Sequence, residues 1–278
     1  MKDLLLKKLY SILGETNKTQ IRIINFHNIL DTDYEKFGNL IEYLSRNWSI
    51  ISPEEFKLFI QKKKYNIDKK SILITFDDSY KSQKIVTEKY LDPLGIKALF
   101  FIVSDFVNLV SKEDAHLFIK KNFFPNKKSI KLDDNTINMS INDLKILLNN
   151  GHTIGGHTKT HARLSQIKNE NNLVNEIISS KKSLEKQLEN YKIEDFAYTF
   201  GDLKSIDKNS LEIISKNFNF LYSGLRGNNF NIYSKILRRD AVNLDESFES
   251  ISIYLNGYID LIYKNKIKQL EKWSFLKN

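Results

Sequence analysis

Ser71-Ile72-Leu73-Ile74-Thr75-Phe76-Asp77-Asp78-Ser79 is the stretch on which the reading of this chain turns. It is an apolar run of strand length that ends abruptly in two adjacent carboxylates and a hydroxyl, and such a run reads as a buried strand with a polar tip. Side chains on a strand alternate between its faces. Where the strand breaks, Asp77 and Asp78 are therefore free to diverge and serve different purposes. One can hold a cation while its neighbour holds a water.

Further along lies Gly155-Gly156-His157-Thr158-Lys159-Thr160-His161, and three of the five histidines fall between positions 152 and 161. The spacing of His157 and His161 predicts both imidazoles on one side of a helical turn, within reach of a single divalent ion. A carboxylate and two histidines make three ligands, the number typical of a catalytic zinc centre whose fourth position stays open. The chain has no cysteine, so zinc-ribbon sites are excluded. Taken alone, Asp-Asp-Ser also suits a helix N-cap, and a lone histidine is more often structural than a ligand. The conjunction of the two clusters, each after a strand-like segment, points to a metal-assisted hydrolase.

Apolar runs of strand length at 21–26, 71–76, 97–103, 195–200 and 218–223 alternate with helical patterns at 34–46, 53–63, 79–91, 141–149, 171–188 and 207–217. That alternation predicts an α/β fold of parallel strands and crossover helices. Chemistry in such folds sits in the loops at the carboxyl ends of the strands. Asp77, Asp78, Phe200 and His27 all fall there. Residues 104–138 read as an inserted helix and loop, with Phe123 and Phe124, like Trp48, assigned to packing. A length of 278 residues suits one large domain.

The segments Thr75-Phe76-Asp77-Asp78-Ser79 and His157-Thr158-Lys159-Thr160-His161 resemble the first two motifs of the polysaccharide deacetylase family, carbohydrate esterase family four with its NodB homology domain. Lys97-Ala98-Leu99-Phe100-Phe101-Ile102-Val103 resembles the strand after the first motif, and residues 139–156 the helix and turn before the second. Phe196-Ala197-Tyr198-Thr199-Phe200-Gly201 is similar to the third motif of one branch, and the likeness covers residues 21–245. It implies a deformed (β/α) barrel that removes acetyl groups from an N-acetylated sugar or glycan precursor, with a divalent metal, zinc first among the candidates. By motif position Asp78, His157 and His161 bind the metal, Asp77 is the general base, and the Phe200 N–H helps form the oxyanion hole. Tyr198, Arg238 and Arg239 are the expected substrate-binding residues.

Two departures stand out. The motif arginine that supports the base is replaced by Ala197, which leaves Arg226, Arg238 or Arg239 to orient Asp77, and no histidine follows His161 to serve as the usual general acid. His27, in a position similar to the tyrosine-histidine that opens this branch, is the candidate to contact substrate or supply that proton. An amidase or deformylase would use the same residues, and a non-catalytic carbohydrate-binding protein would tolerate the departures.

The formal charge of +9 favours anionic partners, but the lysine runs near 62–64 and 127–128 lack interleaved aromatics, so no nucleic-acid partner is expected. Residues 1–13 hold Leu4, Leu5, Leu6, Leu9, Ile12 and Leu13 with Lys2, Lys7 and Lys8 on the intervening positions and read as an amphipathic helix, either packed on the barrel or lying on a membrane as a peripheral contact. The expected organisation is that helix over 1–20, the catalytic domain over 21–245 and a helical extension over 246–278. Without a continuous apolar stretch and cleavage site, the expected location is cytoplasmic, with peripheral membrane contact as the second reading.

Overall fold

A computed structural model describes residues 18–61, 67–230 and 236–274. The amphipathic segment over 1–13 lies outside the described residues. The strands among these are β1 (Gln20–Phe26), β2 (Ser49–Ile50), β3 (Lys70–Phe76), β4 (Leu99–Ile102), β5 (Thr153–Gly156), β6 (Asp195–Ala197), β7 (Phe220–Tyr222), β8 (Ile236–Leu237) and β9 (Asp240–Ala241). They form one sheet in the order β8-β7-β6-β5-β4-β3-β1-β9, with β2 paired to β3 off this path. Every ladder is parallel. All strand carboxyl ends therefore open on the same side, as the sequence alternation predicts.

The two edge strands β8 and β9 are separated by only Arg238 and Arg239. Three Cα steps span at most about 11 Å, so the sheet must curl until its edges nearly meet. The result is the deformed half-barrel of the expected fold. Its two hydrophobic layers follow from strand alternation. Ile21, Ile23, Leu73, Leu99, Phe101, Tyr222 and Leu237 cluster together within the curl, while Ile24, Phe26, Ile72, Ile74, Phe76 and Phe100 belong to a separate cluster with helix residues such as Phe37, Leu40 and Leu147.

Helix starts are set by local chemistry. Ser52 and Glu55 close a reciprocal capping box around Pro53, which begins the helix Pro53–Ile60. Ser140 with Asp143 and Asp207 with Ser210 do the same for Ile141–Asn149 and Lys208–Asn217. The helix expected from position 79 starts instead at Lys81, because Asp78 and Ser79 adopt φ of 76° and 67°. The strand expected over 195–200 ends at Ala197, since the chain turns there toward a left-handed Phe200 (φ 62°). β5 lies where the sequence reading placed a turn. Its glycines carry no β propensity, yet a Cβ on Gly155 would meet the Phe101 ring at 2.8 Å and the Asp195 carbonyl at 3.0 Å. Close strand packing, not propensity, sets that position.

Residues 104–138 contain the helix Lys112–Phe118, a π-helical turn over Ile119–Phe123 and a loop. Phe106 and Phe123 pack on Tyr80 and on each other, and Phe118 packs on both, as a separate apolar cluster. Trp48 is buried, as a packing residue should be. Toward the carboxyl end, helices Phe248–Leu255 and Asp260–Ser274 place Ile251, Tyr254, Leu255 and Leu270 in the main core. No helix among the described residues is long and apolar enough to cross a membrane.

Candidate active site

The register Phe26↔Phe76 brings the ends of β1 and β3 level, so His27 and Asp77 emerge side by side. The Asp77 N–H donates to the Phe26 carbonyl at 2.9 Å, which continues the ladder one residue past the strand. Strand alternation then carries Asn25, Thr75 and Asp77 inward above Ile23 and Leu73. Polar residues thus replace apolar ones as the interior approaches its open end.

Asp77 is buried and heavily anchored. Arg239 donates Nη1 to Oδ1 at 2.7 Å and Nη2 to Oδ2 at 2.9 Å, and Asn25 Nδ2 donates to Oδ2 at 3.0 Å. Arg239 is itself fixed through Nε to the Ser223 carbonyl at 3.0 Å and lies over the Phe101 ring. Burial pushes the Asp77 carboxyl up, but Arg239 and His157 outweigh it and hold the group below the ordinary carboxylate range. The support missing at Ala197 therefore comes from Arg239, across the seam between β8 and β9.

Asp78 turns the other way, and the left-handed residue after it is pinned twice. Ser79 Oγ accepts from the Val103 N–H at 2.9 Å, and the Ser79 carbonyl accepts from the Met139 N–H at 2.8 Å. Asp78 Oδ1 lies 3.4 Å from His157 Nε2 and 3.2 Å from His161 Nε2. The expectation of a helical turn beneath the two histidines is corrected by the structure. They stand on a loop after β5 in which Thr158 and His161 have positive φ, and His161 reaches back because its N–H bonds Thr158 Oγ1 at 3.0 Å. Glu176 holds this loop by accepting from the Lys159 and Thr160 N–H groups at 3.0 and 2.9 Å and from the Thr160 hydroxyl at 2.7 Å.

The outer nitrogen of each histidine faces a carbonyl: His157 Nδ1 lies 2.7 Å from the Ala197 oxygen and His161 Nδ1 3.1 Å from that of Asn122. A carbonyl only accepts, so both Nδ1 atoms carry protons and, in the neutral rings, both Nε2 atoms present lone pairs to Asp78. Asp78 Oδ1 is buried and makes no hydrogen bond. One ligand atom from each of the three residues lies within 4.8 Å of the others. Lone pairs converging on a buried carboxylate repel unless positive charge stands among them. Burial lowers the His157 imidazole, but Asp77 and Asp78 raise it further, the response of a site built for a cation. An N, N, O set of this kind suits zinc or a similar divalent ion.

These residues line a cleft of about 410 Å³ together with His27, Asn28, Tyr80, Phe123, Phe124, Phe200, Gly201, Gly224 and Ala241. His27 is half exposed, with Nε2 3.9 Å from Asp77 Oδ2. The Phe200 N–H donates to no group among the described residues. Its ring packs edge-on to His161 and under the Arg163 guanidinium. The turn behind it is tight, because a Cβ on Gly201 would meet Gly224 Cα at 2.5 Å and φ there is +67°.

Two expected substrate contacts are corrected. Arg238 points away from the cleft to Glu271 at 2.7 Å and the Asn228 carbonyl at 2.8 Å, because adjacent residues leaving a strand face opposite ways. Tyr198 is fully buried, and its hydroxyl donates to the Gly201 carbonyl at 2.9 Å, bracing the Phe200 turn. Arg239 lines the cleft, but its fork is committed to Asp77. Arg226 bonds the Ala241 carbonyl outside this arrangement. Sequence reasoning missed Asn25, Glu176 and Asn122. Only Asn25 carries a signal, as an amide at the carboxyl end of an otherwise largely apolar strand, directly before Phe26-His27.

A family model described as polysaccharide deacetylase matches residues 64–217, more than half of the chain. The chain belongs to the polysaccharide deacetylase family. Among solved structures it is similar to the Streptococcus pyogenes deacetylase PplD in complex with acetate, at 18% identity over 86% of this chain and 99% of that one, with a TM-score of 0.66. IcaB from Ammonifex degensii aligns at 16% identity over 86% and 98%, with a TM-score of 0.67. A de-N-acetylase from Aggregatibacter actinomycetemcomitans aligns at 17% over 84% and 99%, with a TM-score of 0.65. At these identities the likeness establishes the shared fold. Comparison with curated proteins gives no match. Family membership makes this deacetylase a carbohydrate-directed hydrolase, with a buried Asp-His-His set of the metal-binding kind.

Proposed function

We propose that this family member is a metal-dependent N-deacetylase acting on an amino sugar of a glycan or glycan precursor. The observation that carries the reading is the division of labour between neighbours: Asp78 faces two imidazole lone pairs, while Asp77 is anchored apart from them by Arg239 and Asn25.

Asp78, His157 and His161 would hold the divalent ion, zinc being the best match to the donor set. When bound, such an ion polarises the acyl carbonyl and acidifies the attacking water. The remaining roles belong to the chain. Asp77 is ionised at neutral pH and takes the water's proton. Its Oδ1 accepts one hydrogen bond, from Arg239, whereas Oδ2 accepts two, so Oδ1 keeps the lone pair for the incoming proton. The Phe200 N–H, free and held by the left-handed turn, donates to the oxygen on which charge develops. His27, with Nε2 on the cleft side of Asp77, gives a proton to the departing amine as the C–N bond breaks. The products are acetate and a free amino group.

Acetate release is to be measured over a panel of N-acetylated sugars, mono- to oligomeric, with and without a chelator. Activity that chelation abolishes and zinc restores is expected. Chelator-resistant release, or none from any sugar alongside cleavage of formamides, would overturn the reading.

A further inference from the structure

Tyr80 stands two residues beyond Asp78 in the wall of the cleft and is 1% exposed. Its ring packs edge-on against Phe106 and Phe123, with centroids at 5.9 and 5.5 Å, and Phe123 in turn packs on His161 at 4.7 Å. The backbone on both sides is pinned: Tyr80 bridges Asn138, and the Lys81 N–H donates to the Ile137 carbonyl at 2.7 Å. The phenol is therefore a positioned group. Its hydroxyl nevertheless bonds no group among the described residues. A hydroxyl that no protein group engages, on a fixed ring in the wall of a cleft beside the Asp78 and histidine cluster, is open to a ligand atom.

We propose that the Tyr80 hydroxyl is a substrate-contacting catalytic group that donates a hydrogen bond to the acyl oxygen, and to the same oxygen in the acetate product. This rests on the deacetylase reading. The acyl group must lie against Asp78 and the histidines to react, and Tyr80 shares that side of the cleft through Phe123. Sugar hydroxyls extending outward would meet the more exposed His27 and Phe200 instead.

Tyr80→Phe keeps the ring packing and removes only the hydroxyl. Because no protein group bonds that hydroxyl, the melting temperature should hold. Turnover on the best sugar should fall roughly ten- to a hundredfold, and acetate, titrated calorimetrically into zinc-loaded protein, should bind roughly tenfold more weakly. A hydroxyl with a purely structural role would lower the melting temperature and leave acetate affinity unchanged, which overturns the proposal. Undiminished turnover and acetate affinity in Tyr80→Phe, with an active parent, would overturn it while sparing the deacetylase reading. A parent inactive on every sugar would overturn both.

Discussion

Asp77 and Asp78 are chemically identical neighbours, and everything that separates their roles comes from what each one faces. Asp78 has two imidazoles and no hydrogen-bond donor, whereas Asp77 has a guanidinium fork and an amide. Asp77→Asn should therefore retain metal, read by elemental analysis, while turnover falls by roughly a hundredfold or more, the usual weight of a general base. His157→Ala should lose both. An Asp77→Asn protein with full turnover would remove its assigned role. At this scale the convergence of Asp78, His157 and His161 was legible, because histidine and carboxylate types at motif spacing constrain chemistry directly. The choice between Arg238 and Arg239 was not. It depends on which face the chain presents as it leaves β8, which sends Arg238 to Glu271 and Arg239 to Asp77.

The strands and helices near the site were legible wherever apolar periodicity and caps agreed, as at Ser52-Pro53 and over Ile141–Asn149. β5 was not, because its glycines answer to the Phe101 ring rather than to strand propensity. Just before β5, His152 ties the sheet to the preceding helical segment: its Nδ1 accepts from the Ala98 N–H at 3.1 Å, and its Nε2 bonds Asp92 at 2.9 Å. Burial lowers this imidazole below its ordinary 6.5 against the opposing pull of Asp92, so the folded state binds a proton less readily than the unfolded chain. The stabilisation is thus complete above pH 6.5 and is lost as pH falls below it. Protonation would also place a hydrogen on Nδ1 where the Ala98 N–H now points. Thermal melts from about pH 8 down to about pH 5 should show a steeper decline for the parent than for His152→Gln. Parallel declines would assign the acid sensitivity elsewhere.

Across the whole molecule, the curl is held by charges that the sequence pattern gave no reason to pair. Arg22 of β1 is fully buried and donates to Asp240 of β9 at 2.7 and 2.8 Å and to Asp260, first residue of the last helix, at 2.8 Å. Their separation in sequence hides such a contact from any local reading. Arg22→Leu strands the buried Asp240 carboxylate and should cost about 3 to 5 kcal/mol in urea unfolding, with partial recovery in the double variant carrying Asp240→Asn. A loss under about 1 kcal/mol would show that the network contributes little.

The Asp77 carboxylate arrives early in the chain, and the guanidinium that clamps it arrives near the end, in the two-residue link joining the sheet's edges. A ribosome-borne fragment that has yet to emit that link already contains Asp78, His157 and His161, while Asp77 has no guanidinium to meet. On the deacetylase reading, synthesis order therefore leaves competence to the last strands, because the base is clamped only once the link between β8 and β9 is in place.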